Sequence, residues 1–177
     1  MFTSALTIFR AFFSVCTFRL GPQDLPAAAV FYFLSLSLYA LASTALMLPL
    51  QRDLPAALLA GCAETALLLL ITYVLLRLRG VPARYRQTGT ALTGTGFLFS
   101  MAALPLFYLR TAYGGDAGLS LGTGLLALAL IVWNVVVMAH ILRHALSASF
   151  PMGVLTAIGY VWLISVAMTV INPGPMA

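Results

Sequence analysis

Residues 119–142, LSLGTGLLALALIVWNVVVMAHIL, decide the structural class of this protein. The stretch contains no aspartate, glutamate, lysine or arginine. A helix rises about 1.5 Å per residue and the hydrocarbon layer of a bilayer is about 30 Å thick, so about 20 apolar residues are needed to cross it. The stretch is long enough, and we interpret it as a transmembrane helix.

The rest of the chain repeats this pattern. Of the 177 residues, 62% are hydrophobic and 7% are charged, and the mean hydropathy is +1.05. One small soluble core cannot bury so much apolar surface. The sequence therefore predicts an all-α, polytopic membrane bundle of five transmembrane helices in a domain covering residues 23–177. We place the spans at residues 28–50, 54–76, 88–109, 119–142 and 150–171.

Two similar stretches, QDLPAAAV and RDLPAALL, each precede an apolar run. Their carboxylates, Asp24 and Asp53, can accept backbone N–H groups of a first helical turn and lie at the positive end of the helix dipole. Pro26 and Pro55 follow two residues later, where a missing N–H costs little. We predict that both stretches begin helices, on opposite faces of the membrane. A duplicated binding site is the alternative.

All nine basic residues are arginines, and four of them crowd into the connection between the second and third spans: Arg77, Arg79, Arg84 and Arg86. The positive-inside rule places this connection in the cytoplasm. If the five spans alternate in direction from this cytoplasmic connection, seven arginines lie on the cytoplasmic side of the membrane and two lie on the opposite side. We therefore expect a bacterial inner-membrane protein with a cytoplasmic N-terminus and a periplasmic C-terminus. The four loop arginines are our candidates for binding anionic lipid headgroups.

We expect residues 1–22 to form neither a sixth span nor a signal peptide, because no basic residue precedes Arg10 and no cleavage-like site closes the apolar run. Polar residues recur every three or four positions on one face, while phenylalanine and leucine occupy another. The pattern predicts an amphipathic helix in the membrane interface, with its aromatic side among lipid tails. Packing against the cytoplasmic ends of the spans is the alternative, and both can hold.

Glu64 lies near the middle of the second span. A carboxylate at that depth is costly unless it is paired, which makes Glu64 a candidate functional residue. No arginine lies at the same depth. Counting about 1.5 Å per residue inward places Tyr39, Ser100 and Tyr160 level with it, and Asn134 in the fourth span is a further polar candidate. Interhelical hydrogen bonding, a proton or cation pathway and contact with a partner protein all remain open.

His140 and His144 are four residues apart, a spacing that can share a zinc or copper ion when other ligands converge. Cys16 is the only third ligand predicted on that side of the membrane, so the pair is a weak metal candidate. Histidines at a helix end more often meet headgroups, water and the last carbonyls. We therefore predict no metal and no cofactor. A disulfide between Cys16 and Cys62 is not expected, because they are predicted at different depths.

Two stretches resemble Yip1-like membrane proteins. RYRQTGTALTGTGFLFSMAALPLFYL (residues 84–109) resembles the entry to their middle helices, and WNVVVMAHILRHALSASFPMGVLTAIGYVWLI (residues 133–164) resembles their last two spans. Five spans and a cytoplasmic N-terminal segment match as well. Eukaryotic members act in membrane traffic, often with small GTPases, but this chain lacks their long polar N-terminal region. The resemblance thus implies the fold more than a GTPase partner.

Two classes of function remain. The first is a scaffold or accessory protein that docks with another membrane protein or a second copy of itself, or organises lipid, and the scarcity of polar residues in the spans favours it. The second is a small proton- or ion-coupled transporter or channel that uses Glu64. A pathway of that kind needs several polar-lined helices, and we find no inverted repeat. We expect no enzymatic activity and no nucleic-acid partner.

Overall fold

The computed structural model describes residues 5–51, 53–113 and 117–171. Nearly all of this part is helical, and these three ranges contain no strand. Five of the helices are long and apolar enough to cross a membrane, which confirms the all-α class and the five spans. The helices are α1 (Ala5–Cys16), α2 (Ala29–Gln51), α3 (Leu54–Leu78), α4 (Tyr85–Tyr113), α5 (Ala117–Ala145) and α6 (Phe150–Ile171), with short 3-10 turns at Pro22–Asp24 and Pro82–Arg84.

The helix bounds agree with the predicted spans, except that α4 and α5 are longer. Each contains 29 residues, which corresponds to a length of about 43 Å at 1.5 Å per residue. Both helices therefore extend beyond a hydrocarbon layer of about 30 Å. We call the end of the bundle that holds the α3–α4 and α5–α6 connections the arginine end. The extra turns at this end are polar and include Arg86, Gln87, Arg143 and His144.

Asp53 begins α3 as the sequence predicts. Its Oδ1 accepts the backbone N–H of Ala56 at 2.7 Å, and Pro55 lies in the first turn. The carboxylate thereby satisfies one of the N–H groups that a helix leaves unpaired at its start.

Asp24 does not begin a helix, so this part of the prediction is wrong. Its Oδ2 accepts the N–H of Gly21 at 2.7 Å and closes the short turn that precedes α2. Leu25 is extended, with φ −83° and ψ 145°, because a residue that precedes proline is disfavoured in the helical region. Helix α2 begins only at Ala29. The two similar stretches lie at opposite ends of α2 but have different local structures, and their placement on opposite faces of the membrane stays a prediction.

The five long helices surround a common centre. Helix α2 packs along both α3 and α4, α4 also packs on α5, and α5 packs on α6. A smaller contact between α6 and α3 closes the ring, and α1 lies against α4 and α5. Each long helix contributes to one buried core, for example through Tyr39, Leu68, Leu92, Val137 and Tyr160.

Packing is dense at the arginine end and loose at the opposite end. Near the arginine end, Thr72, Leu76, Ile141 and Leu142 are at most 1% exposed. In residues 117–133 of α5, by contrast, Thr123 is the only buried residue. The apolar side chains of that half of α5 are therefore available to lipid tails rather than to neighbouring helices.

Helix α1 packs along the groove between α4 and α5. Phe12 is buried and lies where a Cβ at Gly94 would be. The indole N–H of Trp133 donates to the carbonyl of Cys16 at 3.1 Å. Helix α1 therefore packs against the spans, while its cytoplasmic side and its interfacial placement stay predictions. About half of the surface remains exposed on two aromatic side chains of the predicted lipid face, Phe9 and Phe13.

Helices α2 and α3 approach each other closely at Gly61. A Cβ added there would lie 2.8 Å from the backbone nitrogen of Thr44, which is too close for ordinary contact. Ala57 and Ala60 are buried beside it on α3. Small residues let two helix backbones approach, which strengthens van der Waals packing inside a membrane. Gly61 thus sets the distance at which Glu64, one turn later, meets α2.

We expect Gly61→Ala to destabilise the bundle, because the added methyl group must push α2 away from α3. Overpacking of this kind typically costs about 1–3 kcal/mol. Gly122→Ala is the matched control, since no atom of the described residues, apart from the nearby backbone of α5 itself, lies within 4 Å of a Cβ at Gly122. Unfolding of the purified protein by increasing SDS in mixed micelles measures both variants. Equal stability of the two would contradict a close α2–α3 contact at Gly61.

Candidate functional site

Glu64 joins α3 to α2 through both oxygens of its carboxyl group. The Tyr39 hydroxyl donates to Oε1 at 3.1 Å, and the Ser43 hydroxyl donates to Oε2. Tyr39 and Ser43 are four residues apart, so they lie on one face of α2. The hydrogen bond to Tyr39 is one of those that the sequence predicts from depth alone.

Ser43 is a partner that the sequence analysis missed. Counting residues inward from the membrane surface identifies only one residue of each helix at the depth of Glu64. A carboxyl group has two oxygens, however, and can therefore bond to side chains on two successive turns of a neighbouring helix. The spacing of four residues between Tyr39 and Ser43 is the signal that points to this second hydroxyl. Ser43 is also buried, which is consistent with a structural hydrogen bond.

A glycine of α4 makes room for the Tyr39 ring. A Cβ at Gly96 would lie 2.7 Å from Cε2 of Tyr39, so the ring occupies space that any larger residue would fill. Tyr39 is buried in this position. Its hydroxyl is thereby held beside Glu64, and the same ring packs α2 against α4.

Tyr160 lies in the same core but bonds to a different part of α3. Its hydroxyl donates to the Leu68 carbonyl at 2.6 Å and lies 3.1 Å from the Thr72 hydroxyl. Leu68 follows Glu64 by one turn, toward the arginine end. Tyr160 thus ties α6 to α3, where the ring of helices has its smaller contact.

The five predicted polar residues line one cavity of about 320 Å³. Each comes from a different long helix: Tyr39, Glu64, Ser100, Asn134 and Tyr160. Ser100 and Asn134 make no hydrogen bond to any part of the chain that the structure describes. Apolar side chains form most of the remaining wall, among them Leu46, Leu68, Leu92, Phe99, Leu130 and Met138. The site is therefore a mainly apolar space with a few convergent polar groups, as ligand pockets commonly are.

Arg84 differs from the other loop arginines because it bonds within the protein. Its Nη1 donates to the carbonyls of His144 and Ala145 at 3.1 and 3.0 Å and to the Ser147 hydroxyl at 2.7 Å. These groups lie at the C-terminal end of α5, whose dipole favours a cation. Arg84 thus fixes the α3–α4 connection to α5. The remaining candidates for lipid headgroups are exposed: Arg77, Arg79 and Arg86.

The two histidines lie close together at the arginine end. Their ring centres are 4.7 Å apart, and His140 Nε2 lies 3.2 Å from the carbonyl of Leu20. Across residues 5–51, 53–113 and 117–171, no three His, Cys, Asp or Glu side chains converge as metal ligands would. Burial raises the pKa of the Cys16 thiol to about 11, so the thiolate that binds metals is scarce at neutral pH. Cys16 and Cys62 are both free.

Comparisons with known proteins identify no relative of this chain. No family model matches it, and neither the curated proteins nor the solved structures provide a match. The resemblance to Yip1-like proteins therefore stays a prediction. What the site can do follows from its own geometry.

We expect Glu64→Gln to leave stability within about 0.5 kcal/mol of the wild type. The glutamine oxygen can still accept from Tyr39, and its amide can donate to the Ser43 hydroxyl. Glu64→Leu should be less stable by about 1 kcal/mol, because an interhelical hydrogen bond in a membrane contributes about 0.6 kcal/mol and two are lost. Unfolding in SDS measures the difference. Cys62→Leu, at an exposed position of α3, controls for added apolar surface, and equal stability of the Gln and Leu variants would contradict the bonding role.

Proposed function

We propose that the protein is a membrane accessory protein: a helical bundle that docks with another membrane protein or a second copy of itself, or organises the surrounding lipid. The observation that carries this proposal is the engagement of both Glu64 oxygens by hydroxyls of α2. The most polar group of the core thereby joins two helices, which requires neither an ion nor chemical turnover. The proposal includes no enzymatic activity, cofactor or nucleic-acid partner.

The packing between the central cavity and the arginine end supports an accessory role over transport. On the described helices, the lining of the cavity extends toward that end only as far as Tyr39, Leu68, Leu92, Met138 and Tyr160. Beyond this level, Thr72 and Thr88 are fully buried, and their hydroxyls donate to carbonyls of the preceding turn. The Thr72 hydroxyl adjoins that of Tyr160 at 3.1 Å, but both also bond to the Leu68 carbonyl of α3, and this pair alone is not a continuous chain across the bundle. A cavity closed at one end can bind a molecule but does not conduct it.

A small proton- or ion-coupled transporter is the second candidate. The observation in its favour is that Glu64 lines a cavity that is partly open. A carboxyl group that exchanges protons inside a membrane is a common element of transport pathways. This candidate requires the bundle to rearrange so that the arginine end opens.

The proposed orientation has a cytoplasmic N-terminus and a periplasmic C-terminus in a bacterial inner membrane. Its support is the exposure of Arg77, Arg79 and Arg86 at one end of the bundle, which the positive-inside rule assigns to the cytoplasm. Arg52, one of the two arginines expected outside, lies beyond the described residues, whereas Arg110 is exposed near the opposite end of α4.

A cysteine placed at Gly174 should react with a membrane-impermeant thiol reagent in intact cells, whereas one at Gly80 should react only after permeabilisation. Gly80 lies in the α3–α4 connection, and Gly174 lies outside the described residues. Both variants are made after Cys16 and Cys62 have been replaced by alanine. The reverse labelling pattern would invert the orientation.

Native mass spectrometry of the protein extracted in mild detergent tests the accessory role. We expect a particle that contains a second copy of the chain or another membrane protein, and we expect Glu64→Gln to preserve it. A bare monomer that also leaves lipid order unchanged after reconstitution would contradict the proposal. Vesicles that trap a pH-sensitive dye give the opposing test, because proton uptake that is present in the wild type and lost in Glu64→Gln would favour the transporter.

A further inference from the structure

The central cavity contains polar groups that the fold does not use. A carboxylate can accept about four hydrogen bonds, and Glu64 accepts one at each oxygen from α2. The Ser100 hydroxyl and the Asn134 amide line the same space without partners among the described residues. Polar groups placed in an apolar wall normally have hydrogen-bond partners. Their presence here points to a molecule that supplies those partners.

The side chains that line the cavity determine which charge a bound molecule can carry. It contains one acid, Glu64, and it includes no arginine, lysine or histidine from the described residues. A carboxylate or phosphate ligand would find no cation in this lining to pair with. A primary amine, in contrast, supplies the N–H donors that the remaining Glu64 lone pairs, the Ser100 oxygen and the Asn134 carbonyl can accept.

An amine also solves the electrostatic problem of a carboxyl group in a membrane. Burying an isolated charge is costly, and it is least costly when the charge is paired and hydrogen-bonded. A carboxyl group together with an amine carries no net charge whether the proton is on the oxygen or on the nitrogen. Binding an amine therefore adds no net charge to the core of the bundle.

The size of the cavity limits the rest of the molecule. Water occupies about 30 Å³ per molecule in the liquid, so 320 Å³ corresponds to about ten non-hydrogen atoms. Leu46, Leu130 and Ile164 line the part of the cavity away from the arginine end, where helix packing is looser. This apolar region suits a short hydrocarbon tail, and water alone would leave it without favourable contacts.

We propose that the cavity binds a primary amine with a short apolar tail, its nitrogen at Glu64 and its tail among the leucines toward the loosely packed end. Two sources provide this chemistry: a free alkylamine, or the amine of an aminophospholipid that enters from the bilayer and leaves its phosphate outside this lining, at the open side of the cavity. This inference goes beyond the accessory role, and that role stands whether or not the cavity is occupied.

Native mass spectrometry of the full chain in phosphatidylcholine nanodiscs counts the bound molecules directly. The probes are octylamine, octanol and octanoate, which share a tail and differ in the head. We expect one octylamine per chain, weaker octanol binding and no octanoate. Equal binding of octanoate and octylamine, or no octylamine adduct, would overturn the proposal.

Two variants locate the bound amine. Glu64→Gln should weaken octylamine binding by about tenfold, the effect of losing a charge-assisted hydrogen bond, while octanol binding changes little. Ala103→Phe should exclude both probes, because Ala103 lines the cavity and a phenyl ring would fill it. Cys62→Ser is the matched control on the exposed face of α3 and should bind as the wild type does. Unaltered octylamine binding in both cavity variants would show that the amine binds elsewhere and would overturn the proposal.

Adding phosphatidylethanolamine to the nanodiscs distinguishes the two sources. Displacement of octylamine by this lipid, with a lipid adduct that Glu64→Gln removes, identifies the headgroup as the ligand. Unchanged octylamine binding identifies a free amine. Because Glu64→Gln preserves the bonds to α2, its thermal unfolding should match that of the wild type, which separates loss of the ligand from loss of the fold.

Discussion

A carboxyl group at the centre of a membrane must find its hydrogen-bond partners among neighbouring helices, and the arrangement of this bundle depends on that constraint. Glu64 meets it with two hydroxyls of α2. They are within reach because Gly61 lets α2 and α3 come close, and because Gly96 leaves room for the Tyr39 ring. One polar side chain thus specifies how α3 is rotated toward α2 and, through Tyr39, how α2 lies against α4.

The sequence predicts features that depend on short stretches of chain and fails where helix rotation matters. The five spans follow from length and hydropathy, and the start of α3 at Asp53 follows from local capping chemistry. Asp24 has the same local sequence, but the extended Leu25 before Pro26 separates it from α2. The role of Ser43 and the cavity could not be predicted from the sequence. The long helices are apolar on all sides, so the sequence alone gives little indication of which face of each helix points toward the core. The depth of a residue in the membrane can be predicted from the sequence of such a helix. The rotation of the helix about its own axis is set by contacts with residues distant in the chain, so it cannot be predicted in this way.

Helix α4 shows how polar residues can occupy the middle of an apolar bundle. Its buried threonines, Thr88, Thr90, Thr93 and Thr95, each donate to a carbonyl one turn earlier in the same helix. Thr88, Thr90 and Thr95 are therefore satisfied by the backbone one turn earlier, whereas Thr93 also bonds to the Ser35 hydroxyl of α2 at 2.8 Å, so little is lost when these groups leave water. The small side chains then allow α1, α2 and α5 to pack on the same helix. A helix of this composition is suited to a central position. Its side chains are small, and most of its hydroxyl groups are already hydrogen-bonded within the helix, so neighbours can pack on it from several directions.

The position of α1 has a consequence for the order in which the protein is made. Phe12 packs at Gly94, and Cys16 accepts its hydrogen bond from Trp133, which is 117 residues further along the chain. The groove that receives α1 therefore does not exist until α5 has been synthesised and inserted. A short amphipathic helix without its groove is stable at a membrane surface. We therefore expect α1 to wait at the surface during translation and to move into the groove as a late step, so that the surface and the groove are successive locations of one helix.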